Sequence, residues 1–242
     1  MIEIMPKCWN KATKPDLFCP GCGHGIVLKH LGYAIDTMEI RDKVTLGIDI
    51  GCSLLAWNFF NFDTVQTHHG RTAPTMLGYK RAQPERIALA YMGDGGAYAI
   101  GLQSILHAAM RNEPITIIVV NNENYAMTGG QASPTTETGT ITITTPLGKA
   151  KDSVGGLKGP ELVRMMADKN AYVARTTMAN PIVMQNMIKK AIKTQAETNN
   201  FAFLEILSIC PTNWRTNAKE SLHRVVEMEK HYPLGEFLKE DK

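Results

Sequence analysis

The sequence predicts an α/β protein: a mostly parallel sheet with helices on both faces. Two observations carry that prediction. Short apolar runs alternate with segments of helical periodicity, the order that builds strand–helix–strand units. The runs RIALAYM (86–92) and ITIIVV (115–120) are also continuously apolar, as expected of strands covered on both faces.

Residues 25–38 place Val27, Leu31, Ala34, Ile35 and Met38 at helical spacing. The β-branched run KVTLGIDI (43–50) follows as a strand and stops at Gly51-Cys52-Ser53. TAPTMLGYKRA (72–82) reads as a helix, since Pro74 is tolerated in a first turn. Strand 86–92 runs into Gly93-Asp94-Gly95-Gly96, and the periodicity after it predicts one helix over 97–112, stopped by Pro114. Strand 115–120 ends at Asn121-Asn122. The stretch 123–160, rich in Thr, Gly, Ser and Pro, is too long for an idle connection and reads as a working loop. A helix over 160–170, a strand over 171–176, a helix over 181–198 and a strand over 201–208 complete the pattern. A polar tail with one helix ends the sequence. No internal repeat or linker divides it, so residues 1–242 read as one domain, with an N-terminal CPGC loop and a C-terminal tail.

Composition narrows the class. Of 242 residues, 44% are hydrophobic and 20% charged, ordinary values for a globular protein. A net charge of +3 without basic blocks implies no nucleic-acid partner. No apolar run approaches the roughly 18 residues that span a bilayer, and the first residues lack the apolar core of an export signal. The expected setting is cytoplasmic, where cysteines stay reduced and serve in metal binding, catalysis or packing.

The chemistry-bearing residues gather at strand ends. Cys52, GDGG, Asn121-Asn122 and Cys210 each follow a strand, and the carboxyl ends of parallel strands share one edge, where ligands of open α/β sheets bind. CPGCGH (19–24) precedes the first helix and reaches the same edge. Glycines at a strand-to-helix turn let N–H groups approach a phosphate. Asp94 in that turn would repel a bare phosphate, so a divalent cation between them is expected. Mg²⁺ takes few carboxylates and several other oxygens, and the Asn122 amide and Asn124 carbonyl are candidates. Alone, GDGG is also an ordinary tight turn. GDG followed roughly 28 positions later by NN resembles thiamine diphosphate enzymes. That resemblance implies a thiamine diphosphate-binding fold, with Asp94, Asn122 and Asn124 holding Mg²⁺ and Gly93, Gly95 and Gly96 near the diphosphate.

The thiols leave more open. CPGC is half of a zinc site without its second half. Cys52 and Cys210 supply two further thiols at the same edge, and four thiolates fit zinc or an iron–sulfur cluster equally by ligand count. A neighbouring thiamine site favours a cluster. CPGCGH, GCS, HHGR, GDGG, NNENYAMTGGQASPT and CPTNW together resemble the β subunit of the 2-oxoacid:ferredoxin oxidoreductases, over nearly the whole chain. The CPTNW and YPLGEF segments are most similar to the 2-oxoisovalerate and 2-oxoglutarate branches.

The resemblance implies one [4Fe–4S] cluster on Cys19, Cys22, Cys52 and Cys210, and a cofactor wall of Ile50, Gly51, Cys52, Ser53, His69, Ala126 and Met127, with His69 as the catalytic candidate. It implies decarboxylation of a 2-oxoacid, electrons passing to ferredoxin and the acyl group to coenzyme A. The resemblance also implies an α subunit that supplies the activating glutamate, and γ and ferredoxin-like δ subunits that complete the assembly. Gly96 departs from many relatives, which carry an acidic residue there. Cys8 reads as a free surface or packing thiol, His24 as orienting the CPGC loop, His68 as structural, and Arg71 as meeting a carboxylate or forming a surface or subunit salt bridge. The competing classes are a zinc-stabilised nucleotide-binding module and a non-redox thiamine decarboxylase subunit.

Overall fold

The apolar runs become strands and the periodic segments helices in the computed structural model, which describes residues 5–13, 16–151 and 155–238. Helix α1 (Gly23–Thr37) precedes β1 (Val44–Ile48) and β2 (Thr64–Gln66). Helix α2 (Thr72–Ala82) leads to β3 (Ile87–Gly93), and α3 (Asp94–Tyr98) and α4 (Leu102–Met110) lead to β4 (Thr116–Asn121). A hairpin of β5 (Asn124–Tyr125) and β6 (Gln131–Ala132) opens the long loop. Then come α5 (Gly159–Met166), β7 (Tyr172–Thr177), α6 (Pro181–Thr198), β8 (Ala202–Leu207), α7 (Pro211–Trp214), α8 (Ala218–His231) and β9 (Gly235–Glu236).

Among the described residues, seven strands form one sheet in the order β2-β1-β3-β4-β8-β7-β9. Every neighbouring pair is parallel except β7 with β9. The chain steps from β1 outward to β2, then returns to place β3 on the other side of β1. The carboxyl ends of β1 and β3 therefore flank a switch point, the place where open α/β sheets bind ligands.

Successive side chains on a strand face opposite ways, and both faces are apolar. Leu89, Tyr91, Ile118, Val120, Leu204 and Ile206 join one core layer with residues of α1, α6 and α8. Ala88, Ala90, Met92, Ile117, Val119 and Phe203 join the other with residues of α2, α4 and α5.

The helix expected over 97–112 is two helices. α3 starts earlier, at Asp94, and the chain breaks at Ala99–Gly101 before α4. The break is a packing effect. Gly70, at φ +65°, lies so close that a Cβ on it would come 2.5 Å from the Gly101 nitrogen, and Gly101 N–H turns back to the Gly96 carbonyl at 2.9 Å. The tail holds two helices and a short strand rather than one helix.

Two charges sit inside the second layer. Arg175 on β7 and Glu205 on β8 have no exposed side-chain surface and pair at 2.5 Å. Arg175 also reaches Glu161 on α5 (2.6 Å) and the Pro233 carbonyl (3.0 Å). Glu205 accepts from the Tyr98 hydroxyl and from the Asn121 amide (3.4 Å). The network thus props α3 and the end of β4 from below.

A thiamine diphosphate-type site beside four converging thiols

Asp94 is the first residue of α3, directly after β3, and it is buried. Two hydroxyls from the long loop donate to its Oδ2: Ser133 at 2.6 Å and Thr135 at 2.5 Å. Burial pushes its carboxyl up to about 6, against the pull of these donors and of the Gly95 N–H. A buried carboxylate held by neutral donors is a natural seat for a cation. Asn122 and Asn124, both buried, follow β4 on the neighbouring strand end. The Asn124 N–H donates to Asn122 Oδ1 at 3.3 Å, and the Asn124 Oδ1 is a buried oxygen without a partner. An acidic oxygen, two amides and a backbone carbonyl in this loop are the donor set that Mg²⁺ takes.

The long loop is folded over this point. The Lys149 ammonium ties it together by donating to the carbonyls of Ser133 (3.2 Å) and Thr136 (2.7 Å). Tyr232, just past α8, donates to the Thr135 carbonyl. Ser133 and Thr135 were not among the sequence candidates; the QASPTT run after the NN motif was the available signal.

Gly95 and Gly96 are dictated by what packs on them. A Cβ on Gly95 would come 2.2 Å from the Tyr125 ring, and one on Gly96 would come 1.8 Å from Asp49 Oδ2. Their Cα atoms are thus covered by side chains, which leaves no room for any residue but glycine at either position.

On the other side of the switch point, β1 runs into Asp49-Ile50-Gly51-Cys52-Ser53. Gly51 takes φ +139°, which favours glycine, and a short 3₁₀ turn starts at Cys52. Ser53 is buried, with its hydroxyl 3.7 Å from where a Cβ on Gly93 would stand. Asp49, also missed by sequence reading, is buried. Its Oδ1 accepts from Gly70 N–H at 2.7 Å and Thr72 Oγ1 at 3.3 Å, while Oδ2 has no partner. Burial pushes this carboxyl up to about 6, and His69 is among the groups that pull it down. Asp49 so fixes the His68-His69-Gly70 turn. Both histidines are exposed there. Among the described residues, Arg71 donates to the Ile100 carbonyl at 3.3 Å, on the helix break.

The four nominated thiols converge. Gly23 packs so tightly on the end of β8 that a Cβ there would lie 2.0 Å from Ser208 Oγ, and its N–H meets the Ile209 carbonyl at 3.3 Å. That docking carries Cys19 and Cys22 to Cys210, while the turn after β1 brings Cys52. Cys22 interacts electrostatically with Cys210 and Cys19, Cys52 with all three others, and Cys210 with Cys19. Burial first, then these neighbours, pushes Cys22 and Cys52 up to about 12. Among the described residues, no group of three or more His, Cys, Asp or Glu side chains is already arranged to hold a metal ion.

Cys8 is fully buried, with its thiol 3.6 Å from the Gly32 carbonyl, so it is a packing thiol. His24 is buried in the first turn of α1, stacked on Phe18 and 2.7 Å from the Tyr91 hydroxyl; burial lowers it to about 4. It braces the CPGC loop as a neutral ring.

Comparison with known proteins adds a family to this geometry. Residues 49–206 match the thiamine pyrophosphate enzyme, C-terminal TPP binding domain. The chain is 37% identical to 2-oxoglutarate synthase subunit KorB of Methanothermobacter marburgensis, over 94% of this chain and 74% of that protein. The chain belongs to the thiamine diphosphate-binding β-subunit family of the 2-oxoacid:ferredoxin oxidoreductases. It is also 36% identical to ketoisovalerate oxidoreductase subunit VorA of Methanothermobacter thermautotrophicus, over 97% of its length, and spans 50% of that relative. The fold agrees. The 2-oxoglutarate:ferredoxin oxidoreductase of Magnetococcus marinus, solved with 2-oxoglutarate, coenzyme A and succinyl-CoA bound, superposes with a TM-score of 0.79 at 25% identity, covering 100% of this chain and 87% of that one. This chain thus shares its fold with that oxidoreductase. No helix among the described residues is long and apolar enough to cross a membrane.

Proposed function

We propose that this chain is the thiamine diphosphate-binding and electron-collecting subunit of a 2-oxoacid:ferredoxin oxidoreductase. Bound thiamine diphosphate supplies the electron sink for decarboxylation, and a [4Fe–4S] cluster supplies the path out. Asp94, Asn122 and Asn124 hold Mg²⁺, and the first-turn N–H groups of α3, with Gly93 before them, face the diphosphate. Ile50, Gly51, Cys52, Ser53, Ala126 and Met127 wall the cofactor. Exposed His69, fixed by Asp49, faces the open side, where a partner α subunit closes the site and brings the activating glutamate. Cys19, Cys22, Cys52 and Cys210 hold the cluster. Coenzyme A takes the acyl group, ferredoxin the electrons, and γ and δ subunits complete the relay in a cytoplasmic assembly.

The observation that carries this reading is the position of Cys52. One turn, residues 50–53, contributes both to the wall beside Gly93 and to the four-thiol site. The relatives' names agree with it. The test is iron, zinc and acid-labile sulfide analysis of anaerobically purified protein, with an absorbance spectrum before and after dithionite. About four irons and four sulfides per chain, bleaching on reduction, are expected. Adding α subunit should then create thiamine-dependent 2-oxoacid oxidation. Stoichiometric zinc without iron would overturn the redox reading, and full activity of this chain alone would overturn its role as a partial site.

A further inference from the structure

One side chain touches both halves of the site. Asn213 lies in α7, directly after Cys210. Its amide nitrogen is 3.5 Å from Cys210 Sγ and 2.8 Å from the carbonyl of Ala126. An amide carries two N–H donors, so one group can serve both acceptors. The Asn213 backbone N–H also points at the Cys210 sulfur.

The surroundings fix this posture. Gly130, at φ +93° in the turn between β5 and β6, packs against Asn213; a Cβ on it would lie 3.1 Å from the Asn213 side chain. The Trp214 N–H closes α7 on the Cys210 carbonyl at 2.9 Å. The guanidinium of Arg224 covers the Trp214 ring at 4.1 Å and pairs with the buried Glu123 at 3.4 Å. The amide is therefore aimed, and its two acceptors are a nominated cluster thiol and the strap that carries Ala126 and Met127.

We propose that Asn213 is a positioning residue that sets the reduction potential of the cluster and ties its Cys210 ligand to the cofactor strap; this rests on the functional reading above. Reduction adds one electron to the cluster and negative charge to its sulfur ligands, breaking no bond. An N–H donor to Cys210 stabilises that added charge and raises the potential. Without the donor, the cluster gives its electron away more readily and accepts one less readily.

The experiment is an EPR-monitored redox titration of the anaerobic, cluster-loaded holoenzyme and of its Asn213→Ala and Asn213→Asp variants. Asp keeps the shape of Asn and loses the amide donors. Both variants should keep the iron and sulfide content and shift to lower potential, Asp further than Ala. The reduced-to-oxidised ratio at fixed poise should fall several-fold, tenfold corresponding to about 59 mV for a one-electron couple. In the wild type, asparagine labelled with ¹⁵N at the amide should give a ¹⁵N coupling to the reduced cluster by pulsed EPR. That second readout decides the matter if a variant fails to load. Loaded variants with an unchanged potential, or a wild type without the coupling, would overturn the inference alone. A wild type without iron and sulfide would overturn it together with the functional reading.

Discussion

Asp49 and Gly96 compete for one volume: Asp49 Oδ2 stands 1.8 Å from where a side chain on residue 96 would begin. Only one of these positions has room for a side chain. Gly96→Asp should therefore destabilise the protein by about 1–3 kcal/mol, the usual cost of overpacking a filled interior. Asp49→Gly in the same chain should restore much of the loss. Urea denaturation of the two single variants and the double variant measures the coupling. Additive effects would show that the two positions do not share the space.

Asp49 also gives stability a pH dependence. Burial raises its carboxyl from 3.8 to about 6, so the folded state keeps a proton that the unfolded state has released. Stability from this group is greatest below pH 4 and falls as pH rises through 6. Asp49→Asn retains an acceptor for Gly70 and Thr72 but has no charge to bury. Its stability relative to the wild type should rise by about 2 kcal/mol between pH 4 and pH 8. Thermal melts of both proteins across that range provide the comparison, and a flat difference would refute the assignment.

In the proposed Mg²⁺ site, Ser133 and Thr135 would act on the metal through Asp94, to whose Oδ2 both donate. Partners that orient a metal ligand typically carry 10–100-fold of the affinity. Ser133→Ala combined with Thr135→Val should weaken Mg²⁺ binding by about that factor, while the far-UV circular dichroism stays unchanged. Isothermal titration with Mg²⁺ and thiamine diphosphate reads the effect. Wild-type affinity in the double variant would mean that the two hydroxyls only pack the loop.

The Arg175–Glu205 pair is fully enclosed. Arg175→Met leaves Glu205 as an uncompensated buried charge and should cost about 3–5 kcal/mol. Arg175→Met with Glu205→Leu removes both charges and should cost less. Chemical denaturation distinguishes the two, and a double variant as unstable as the single one would move the cause from charge to packing.

What was legible in the sequence follows from how local each signal is. Helix α6 was readable end to end, because its limits are local: Asn180 accepts from the Val183 N–H, Pro181 opens the helix, and Asn199 takes the left-handed conformation that ends it. Helix α2 was equally plain. The break between α3 and α4 was not, since Ala99, Ile100 and Gly101 are displaced by the distant Gly70 turn. Strands β2 and β9 were too short to show a period. At the site, the sequence nominates the residues with motif spacing and passes over those acting from afar. Ser133, Thr135, Asp49 and Asn213 earn their places through contacts that only the folded loop creates. One unused signal was in view: a lone charge within each of AYVART and FAFLEILS, two otherwise buried strands, implies that each is the other's partner.

The four converging thiols also set a timetable. Cys19 and Cys210 are separated by roughly 190 positions, so a ribosome adding 5–20 residues per second takes on the order of 10–40 s to join them. For that interval the CPGC thiols exist without the strand end on which Gly23 docks. A cluster delivered during synthesis would find two ligands, or three, but never four. In the proposed four-cysteine site, loading would therefore follow synthesis of Cys210, just past β8.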